Sequence, residues 1–592
     1  MSKPLEQYAL IGDCHGAGLV ALDGSIDWLC LPRFDANACF AALLGDDRHG
    51  HWKVAPVDPE AKAVRTYLQD TLMVETLFET ATGEVVVTDF MPPYECYCRV
   101  VRKVEVVLGE VEMECRARFR PDYGVLRPWI RRVKNGCAAV SGSEMYRLTS
   151  DREIEAKEGD LLSHFTLREG DTAYFHLRVE EAHDPFDEDF EVNPDTLLRE
   201  TSDWWQAWVN QGNLPELHRE ELVRSLITLK ALSYLPSGGI IAAPTTSLPE
   251  VLGGVRNWDY RYCWIRDASL LLKSFVRTGF IEEARQWHDF VLRAMAGDPG
   301  QAQIMYGVTG ERRFDEIELD WLPGYENSGP VHIGNGARTQ VQLDIYGEMM
   351  ASYYIARKEG LPTDPEEWGF LLTIMEYVGK VWQDEDEGIW EVRGKSAHFV
   401  YSKFMCWAAC HYGILAAREF GEEAPLDEWV DLMRRIHAEI CERGFDKERN
   451  AFMQSYESPH LDASLLRMVI DGFLPPDDPR ILGTIEAVER ELIHGGLVYR
   501  YYPSEEVDGL PGEEGAFLMC SYWLADVYLL LGRRGEAITL YERVLGLAND
   551  VGLLAEEYDI HTRRMVGNFP QGLSHTGLVV TALGLADIRV RC

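Results

Sequence analysis

The spacing of apolar residues changes near residue 195, and this change constrains the fold more than any other feature of the chain. Before residue 195, short runs rich in Val, Tyr and Phe are separated by turn residues, a pattern typical of antiparallel strands. The dipeptide Asp23-Gly24 lies between two such runs and predicts a tight hairpin. Clear strand-like runs cover residues 8–12, 18–22, 84–90, 100–107 and 173–179. We therefore predict an antiparallel β-sandwich over residues 1–195.

After residue 195, apolar residues recur every three or four positions, which indicates amphipathic helices. Clear helical runs cover residues 222–235, 267–278, 339–358, 402–420, 514–532 and 536–549. Residues 196–215 predict a helical linker with Trp204, Trp205 and Trp208, and we expect these indoles at the seam between domains rather than at an oligomer interface. A chain of 592 residues is long enough for two domains, and residues 216–592 predict an all-α domain.

Long connections rich in Gly and Pro separate the predicted helices, at residues 237–257, 317–337 and 495–512. Connections of this length are uncommon in compact domains unless they carry function. The segment at residues 257–267 contains four aromatic residues and ends where a helix is predicted to begin. At its end, Arg266 donates through a planar fork and Asp267 only accepts, so the pair suits the vicinal hydroxyls of a sugar. The alternative is that Asp267 caps the helix and pairs with Arg266, which does not account for the aromatic residues.

Two short segments place a carboxylate among aromatic and apolar residues. Glu391 follows Trp390, and Glu556 stands beside Glu557 before a Tyr-Asp pair. Hydrolysis of a glycosidic bond requires two carboxyl groups, one that protonates the leaving oxygen and one that activates water or attacks the sugar. Desolvation against an indole such as that of Trp390 raises a carboxyl pKa, as the acid requires. A single Trp-Glu pair is most often ordinary packing, so the interpretation depends on the other motifs.

Three further residues are candidates for the same site. Glu326 is a third carboxylate, but a loop Glu is usually solvated, and we rank it below Glu391. His575, near the C-terminus, is a candidate base, although a hydrogen-bonded core histidine is the favoured interpretation. Arg500 repeats the pattern of charged and aromatic residues before a predicted helix.

Charge and cysteine content exclude several kinds of partner. The formal net charge of −39 repels phosphate backbones and anionic membranes, so we expect neither nucleic acid nor a membrane surface as a partner, whereas a neutral substrate meets no penalty. The 13 Cys include no CxxC pair, which predicts neither a zinc site nor a disulfide framework. No metal-ligand cluster or cofactor motif is apparent, and the sequence leaves a homo-oligomer open. The chain lacks both a signal-peptide pattern and an apolar run of membrane-spanning length, so we expect it in the cytoplasm.

Several of these motifs resemble those of glycoside hydrolase family 15, which holds glucoamylases, glucodextranases and bacterial trehalases. The resemblance is carried by residues 258–267, Trp390-Glu391, residues 554–559 and residues 567–571, the last with the sequence Gly-Asn-Phe-Pro-Gln. Residues 11–35 resemble the N-terminal domain of the trehalase-like bacterial branch of the family. The resemblance implies a β-sandwich followed by an (α/α)6 barrel over residues 216–592, with the active site formed by inter-helix loops at the barrel mouth. It also implies hydrolysis of α-glucosides from the non-reducing end, with inversion.

The resemblance further implies a role for each matching residue. Glu391 matches the general acid, Glu556 the general base and Glu557 its neighbour. Arg266 and Asp267 match the pair that grips the terminal glucose. The remaining matches are substrate-binding residues that line the subsite, namely Tyr260, Trp264, Trp390 and Arg500. No cofactor or metal is implied for the chemistry, although the resemblance leaves open the phosphate and magnesium requirement of some trehalases in this branch.

The substrate is the open question at this stage. The trehalase-like N-terminal segment favours trehalose or another short α-glucoside, and a glucoamylase-type enzyme acting on maltodextrins or isomaltose-type linkages is the alternative. A glycoside phosphorylase replaces the catalytic base with a phosphate site, and the carboxylates of Glu556 and Glu557 argue against it. A non-catalytic sugar-binding protein is the alternative from another class, and it would be expected to have lost one of the two catalytic glutamates.

Overall fold

The computed structural model describes residues 2–93, 98–183, 193–295, 298–362, 364–502 and 508–587. Its first part is an antiparallel sheet of 15 strands, which we label β1 to β15 in chain order. They span Tyr8–Gly12, Ala17–Ala21, Ser25–Cys30, Ala38–Phe40, His51–Pro56, Lys62–Tyr67, Val74–Glu79, Gly83–Phe90, Arg99–Arg118, Trp129–Val133, Gly136–Ser141, Glu144–Ser150, Glu155–Lys157, Asp160–Arg168 and Thr172–Glu181. The predicted hairpin lies between β2 and β3, where Gly24 has a φ of 79°.

The sheet folds into two layers because the 20-residue strand β9 belongs to both of them. Residues 99–109 of β9 pair with β8 and β15, and residues 110–118 pair with β5 and β14. Gly109 lies at the change of layer with a φ of 76°, a conformation that glycine adopts without strain. The antiparallel β-sandwich expected from the sequence is confirmed.

The second part is helical, with helices that we label α1 to α13. They span Pro194–Val209, Arg219–Ala231, Ile265–Arg277, Ile281–Met295, Asp344–Lys358, Pro365–Val381, Val400–Phe420, Leu426–Arg443, Leu466–Ile470, Pro479–Glu491, Leu518–Leu530, Arg534–Leu545 and Gly572–Ala586. Helices α3, α5, α7, α9, α11 and α13 contact one another in that order, α9 through the 3₁₀ turn that precedes it, and α13 returns to α3. The even-numbered helices from α2 to α12 alternate with them along the chain. This double ring is the (α/α)6 barrel that the resemblance implies.

Short strands lie in the connections between the helices. They span Cys263–Trp264, Met305–Tyr306, Ile317–Glu318, His332–Ile333, Phe445–Asp446, Ala451–Phe452, Ile493–His494, Leu497–Val498, Ala516–Phe517, Glu557–Asp559 and Arg564–Val566. They pair antiparallel with each other and give the long connections a fixed shape.

One predicted helix begins later than its periodicity suggests. The pattern predicts a helix over residues 339–358, whereas α5 begins at Asp344. The backbone N–H of Leu343 donates to the Asp386 carboxylate at 2.9 Å, and the residues before it form a separate 3₁₀ turn, Gly336–Thr339. A contact with a distant residue therefore overrides the local periodicity at this helix start.

Helix α1 lies between the sandwich and the barrel. Leu197 packs with Phe90 and Val101 of the sandwich. At the other end of α1, the Trp208 indole stacks on Phe280 with 4.2 Å between ring centroids and donates to Glu283 in α4 at 2.7 Å. Helix α1 therefore contacts both domains, and Trp208 packs on its barrel side.

Two features of the described residues bear on the sequence predictions. No helix in these ranges combines the length and apolarity needed to cross a membrane. The cysteines in the same ranges are free thiols, and all except Cys441 are buried; Cys406 and Cys410 lie on the inner helix α7. Cys96, which the sequence places near Cys98, lies outside the described residues.

Candidate active site

A pocket opens where the connections before the inner helices α3, α5, α7, α11 and α13 meet. It encloses about 830 Å³ of empty space, part of it open to solvent. The sequence-predicted residues on its surface are Tyr260, Trp264, Arg266, Asp267, Trp390, Glu391 and Arg500. Glu556 and Glu557 are not on this surface, and they lie among residues next to it. The structure thus brings the predicted residues to one place from connections far apart in the sequence.

Arg266 and Asp267 lie in the first turn of α3. The strand Cys263–Trp264 pairs with Met305–Tyr306 and fixes the chain immediately before this turn. The Arg266 guanidinium donates to Gln342 at 2.7 Å and lies 3.3 Å from an Asp344 carboxylate oxygen. Asp267 Oδ1 is 3.3 Å from Arg266 Nε but accepts no hydrogen bond from the described residues. Burial raises the pKa of Asp267 to about 6, although Arg266 opposes the shift.

Glu391 is held by two donors on the α3 connection. Its Oε1 accepts from Trp264 Nε1 at 2.6 Å and from Arg266 Nη2 at 3.1 Å. Its backbone has a φ of 59°, in the left-handed region that residues other than glycine rarely adopt. The backbone carbonyl of Glu391 accepts from Gln340 at 3.3 Å. The side chain of Glu391 is thus aimed into the pocket by neighbours on both sides.

Aromatic rings form the walls of the pocket. Tyr260 and Trp264 meet edge to face with 5.3 Å between ring centroids. Trp390 is the desolvating indole predicted from the sequence, whereas the indole that donates to the Glu391 carboxylate is that of Trp264. The Trp390 N–H donates instead to both carboxylate oxygens of Asp462 at 2.9 Å, and its ring packs against Phe517. Rigid aromatic walls with a few convergent polar groups are typical of small-molecule sites.

Arg500 lies at the centre of a buried group of carboxylates that includes the predicted Glu557. It donates to Glu514 at 2.6 Å and to Glu250 at 3.2 Å, and its Nη2 is 3.1 Å from Glu557 Oε1. Arg256 pairs with carboxylates of the same group, and its Nη1 lies 3.3 Å from Glu514 and 2.7 Å from Asp508. We call Glu250, Glu514, Glu556, Glu557, Asp508 and the two arginines the Arg500 cluster. Its carboxylates outnumber its arginines, so ionising all of them at once is unfavourable.

Glu556 is the member of the Arg500 cluster that contacts the backbone of Asn568. It is 1% exposed. Its Oε2 accepts from the backbone N–H of Asn568 at 3.0 Å, while Oε1 accepts no hydrogen bond from the described part of the chain. Gly567 permits this approach, because a Cβ at that position would come 2.6 Å from Glu556 Oε2. Burial raises the pKa of Glu556 to about 8, the charge of Glu250 adds to the rise, and Arg500 opposes it.

One group of carboxylates has the geometry to hold a cation. Oxygens of Glu250, Glu556 and Glu557 lie within 4.8 Å of one another. Arg500 already contacts two of these three residues, so its guanidinium supplies positive charge where a metal ion would otherwise be needed. The donor set therefore fits the arginine better than a resident divalent ion, which prefers oxygen ligands without a cation beside them.

The two weaker sequence candidates lie outside the pocket. Glu326 pairs with Arg564 at 2.9 Å, and its backbone N–H donates to Ser2. His575 is fully buried in α13, accepts from the Leu554 N–H at 3.2 Å and contacts Ser225 Oγ at 3.0 Å. Burial lowers the pKa of His575 to about 3, so it stays neutral. His575 is therefore a hydrogen-bonded core histidine, as favoured from the sequence.

The pocket also contains residues that sequence reasoning missed. Glu250, Arg256 and Asp508 fall in the long connections that were flagged by their length, but no local pattern marks the individual residues. Arg393 lies two residues after Glu391, with its guanidinium 4.6 Å from the centre of the Trp258 ring and 3.0 Å from Glu316. The aromatic-rich segment containing Trp258 and the proximity to Glu391 are the signals that point to this pair.

We expect replacement of Glu556 with Gln to stabilise the protein at alkaline pH. The folded state raises the pKa of this carboxyl to about 8, so the protonated form favours the folded protein. This contribution to the free energy of unfolding is fully present below the ordinary pKa of 4.5 and is lost as pH rises through about 8. Gln does not ionise and avoids this loss. The free energy of unfolding of E556Q relative to wild type should therefore increase between about pH 4 and about pH 9, by on the order of 5 kcal/mol.

Thermal or denaturant unfolding across that range checks this expectation. Glu79→Gln, which alters an exposed carboxyl in β7, is the control and should show a nearly constant difference from wild type. A difference for E556Q that does not change with pH would contradict the raised pKa.

Comparison with known proteins gives matches over nearly the whole chain. A sequence model described as "Glycosyl hydrolases family 15" matches residues 216–583, and one described as "Trehalase-like, N-terminal" matches residues 1–152. Trehalases of Mycolicibacterium smegmatis and Thermoplasma volcanium are 37% and 32% identical to the chain. The alignments cover 97% of this chain and 90% of the first relative, and 98% of this chain and 94% of the second. A solved structure of a bacterial glucoamylase complexed with acarbose superposes with a TM-score of 0.75 at 13% identity, covering 99% of this chain and 94% of that one.

Proposed function

Because this chain belongs to glycosyl hydrolases family 15, we propose that it hydrolyses trehalose in preference to other short α-glucosides, by a single displacement that inverts the anomeric carbon. The chain is a glycoside hydrolase of the trehalase or glucoamylase type. The substrate preference, the stereochemistry and the residue roles are the proposed part. The observation that carries the proposal is the Glu391 carboxylate held between Trp264 and Arg266 on the surface of the pocket.

The innermost part of the pocket suits a terminal glucose. Asp267 and Arg266 both line the pocket, so the pair can accept from and donate to sugar hydroxyls. Tyr260 and Trp264 offer flat apolar faces to the sugar ring. A pocket of this kind takes the end of a saccharide rather than its middle, which supports release of glucose from the non-reducing end.

The two proposed catalytic glutamates divide the reaction between them. Glu391 donates its proton to the glycosidic oxygen as the bond between that oxygen and the anomeric carbon breaks. In its ionised form, Glu556 accepts a proton from water while the water oxygen bonds to the anomeric carbon from the opposite face. The α-glucoside becomes β-glucose, and solvent later returns a proton to Glu391 and removes one from Glu556. From trehalose, the products are one β- and one α-glucose.

The rim of the pocket supports a short substrate. Arg393 covers the Trp258 ring, and its backbone N–H donates to the Asp508 carbonyl at 2.8 Å, which ties two connections together at the mouth. Gly509 makes this approach possible, because a Cβ there would come 2.7 Å from the Gly394 nitrogen. The tie stands close to Glu391, since Arg393 and Asp508 line the same pocket. The trehalase relatives and the trehalase-like N-terminal match favour trehalose as the substrate that fits there.

We also propose that the reaction needs no metal or other cofactor and that the protein acts in the cytoplasm. The guanidinium of Arg500 takes the place of a cation among Glu250, Glu556 and Glu557. The free, mostly buried thiols of the described residues are typical of a reducing compartment. A chain with a net charge of −39 does not repel a neutral saccharide, which is the partner that we propose.

Initial products from a panel of trehalose, maltose, isomaltose and maltoheptaose test the proposal. We expect kcat/KM for trehalose to exceed that for maltose at least ~10-fold, and NMR in the first minutes to show α- and β-glucose in equal amounts. Preference for maltoheptaose would favour the glucoamylase-type alternative. Two α-glucose molecules from each trehalose would contradict inversion. No glucose from any substrate, with or without phosphate and magnesium, would favour a sugar-binding protein, and a rate lost on adding EDTA would contradict the absence of a metal.

A further inference from the structure

The aromatic segment in front of α3 presents opposite faces to two different parts of the molecule. Trp258 and Tyr260 point into the pocket. Asp259 and Arg261, which alternate with them, are fully buried on the other side of the segment. This alternation follows from the extended backbone, which pairs with the preceding connection at Thr246 and Asp259. A side chain on the buried face therefore fixes the position of side chains on the pocket face.

Asp259 joins this segment to the connection before α5. Its carboxylate accepts from the Gly334 N–H at 3.1 Å and from Arg261 Nε at 2.9 Å. Its backbone carbonyl accepts from the Asn335 side chain at 3.3 Å, and Asn335 lines the pocket. Two sides of the pocket are thus held by one buried aspartate.

Arg261 carries the linkage into the β-sandwich domain. Its guanidinium donates to the Ala36 carbonyl at 2.9 Å and to the Tyr123 hydroxyl at 2.8 Å. It also lies over the ring of Trp28, 5.8 Å from the centre, and the Trp28 N–H donates to Pro244 at 2.8 Å. Trp28 and Tyr123 are buried and Ala36 is half-buried, so most of the linkage is shielded from solvent.

We infer that Tyr123 of the β-sandwich is a positioning residue for the active site, acting through Arg261 and Asp259 on Tyr260 and Asn335. The sandwich domain is then part of the catalytic apparatus although none of the named groups in it touches the pocket. The influence of the sandwich domain on catalysis rests on the proposed function, whereas its influence on the position of residues 257–262 does not. Small displacements of a positioned group weaken catalysis strongly, so one lost hydrogen bond at this distance has a measurable effect.

Tyr123→Phe and Arg261→Lys test the inference. Tyr123→Phe removes only the hydroxyl group that accepts a hydrogen bond from the Arg261 guanidinium. The second keeps the positive charge next to Asp259 but loses the planar fork that reaches Tyr123 and Ala36 together. Tyr67→Phe is the matched control, because the Tyr67 hydroxyl is also buried in the sandwich and exchanges two hydrogen bonds with Leu10, at 2.7 and 2.9 Å, away from the pocket.

Two readouts separate positioning from loss of stability. Hydrogen exchange of residues 257–262 and of Gly334 should become at least ~10-fold faster in Tyr123→Phe and Arg261→Lys, and remain as in wild type in Tyr67→Phe. On the saccharide that wild type hydrolyses best, we expect kcat to fall ~3- to 10-fold in Tyr123→Phe and ~10- to 100-fold in Arg261→Lys, with KM changed less.

The outcomes distinguish the inference from the proposed function. Unchanged exchange in residues 257–262 for both variants would overturn the linkage, whatever the substrate. Faster exchange with kcat equal to that of wild type would show a linkage without a catalytic role and would overturn the inference. If kcat falls no more than it does in Tyr67→Phe, the fall reflects a general loss of stability, and the inference is overturned as well. A wild-type protein that releases no glucose contradicts the proposed function only, since the exchange experiment still decides the linkage.

Discussion

Replacing Glu391 with Gln is expected to lower kcat for trehalose by ~10²- to 10⁴-fold, because the amide has no proton to give to the leaving oxygen. The carbonyl of Gln can still accept from Trp264 and Arg266, which now hold the carboxylate at 2.6 and 3.1 Å. The side chain should therefore stay in place, with KM little changed. Steady-state kinetics of trehalose hydrolysis provide the measurement.

A substrate that needs no acid identifies the role of Glu391. Fluoride leaves α-glucosyl fluoride without protonation, so E391Q should lose at least ~10-fold less activity on this substrate than on trehalose. Glu326→Gln is the control, since this carboxylate pairs with Arg564 outside the pocket and should leave both rates unchanged. An equal loss on both substrates would contradict a role as general acid, and near wild-type hydrolysis of trehalose would remove Glu391 from the reaction.

Replacing Glu556 with Gln is expected to lower kcat by ~10²- to 10⁴-fold on trehalose and on α-glucosyl fluoride alike, because the attacking water needs a base whatever group leaves. The Gln side chain keeps an oxygen for the Asn568 N–H and fills the same space beside Gly567. Its loss of activity therefore reports the missing base rather than a cavity. The ratio of the two rates is the measurement, and it should match that of wild type.

The structure offers a competing base in Glu250, and the matched variant is Glu250→Gln. Glu250 is on the pocket surface, whereas Glu556 lies beside it at 1% exposure. If Glu250 only tunes the charge of the Arg500 cluster, E250Q should lose ~10-fold or less, while E556Q loses far more. The reverse order, with E556Q close to wild type, would assign the base to Glu250.

Local patterns were enough to predict much of the fold. A short continuous apolar run marks β1, and Asp23-Gly24 marks the hairpin, because strand and turn signals depend on neighbours in sequence. The periodicity of α3 places Arg266 and Asp267 at a helix start, from which the pair enters the pocket. The start of α5 escaped prediction because a carboxylate more than forty residues away, that of Asp386, bonds to Leu343.

The candidate site likewise contains residues that local sequence patterns mark and residues that only the folded structure brings together. Glu391 and Glu556 stand in segments whose composition draws attention to them. Glu250 and Asp508 lie in irregular connections, where neither period nor composition distinguishes a pocket carboxylate from a solvated one. Arg500 was recognised, but the carboxylates around it come from distant parts of the chain, and only the folded barrel brings them together.

The left-handed backbone at Glu391 sets protein stability against function at this position. For a residue with a Cβ, this conformation costs roughly 1–2 kcal/mol relative to glycine, and Asn tolerates it better than most residues. Variants selected for heat resistance alone would therefore be drawn toward Gly or Asn at position 391, and both would remove the carboxyl group. A stability-guided redesign of this protein should hold residue 391 fixed and look for its gains elsewhere.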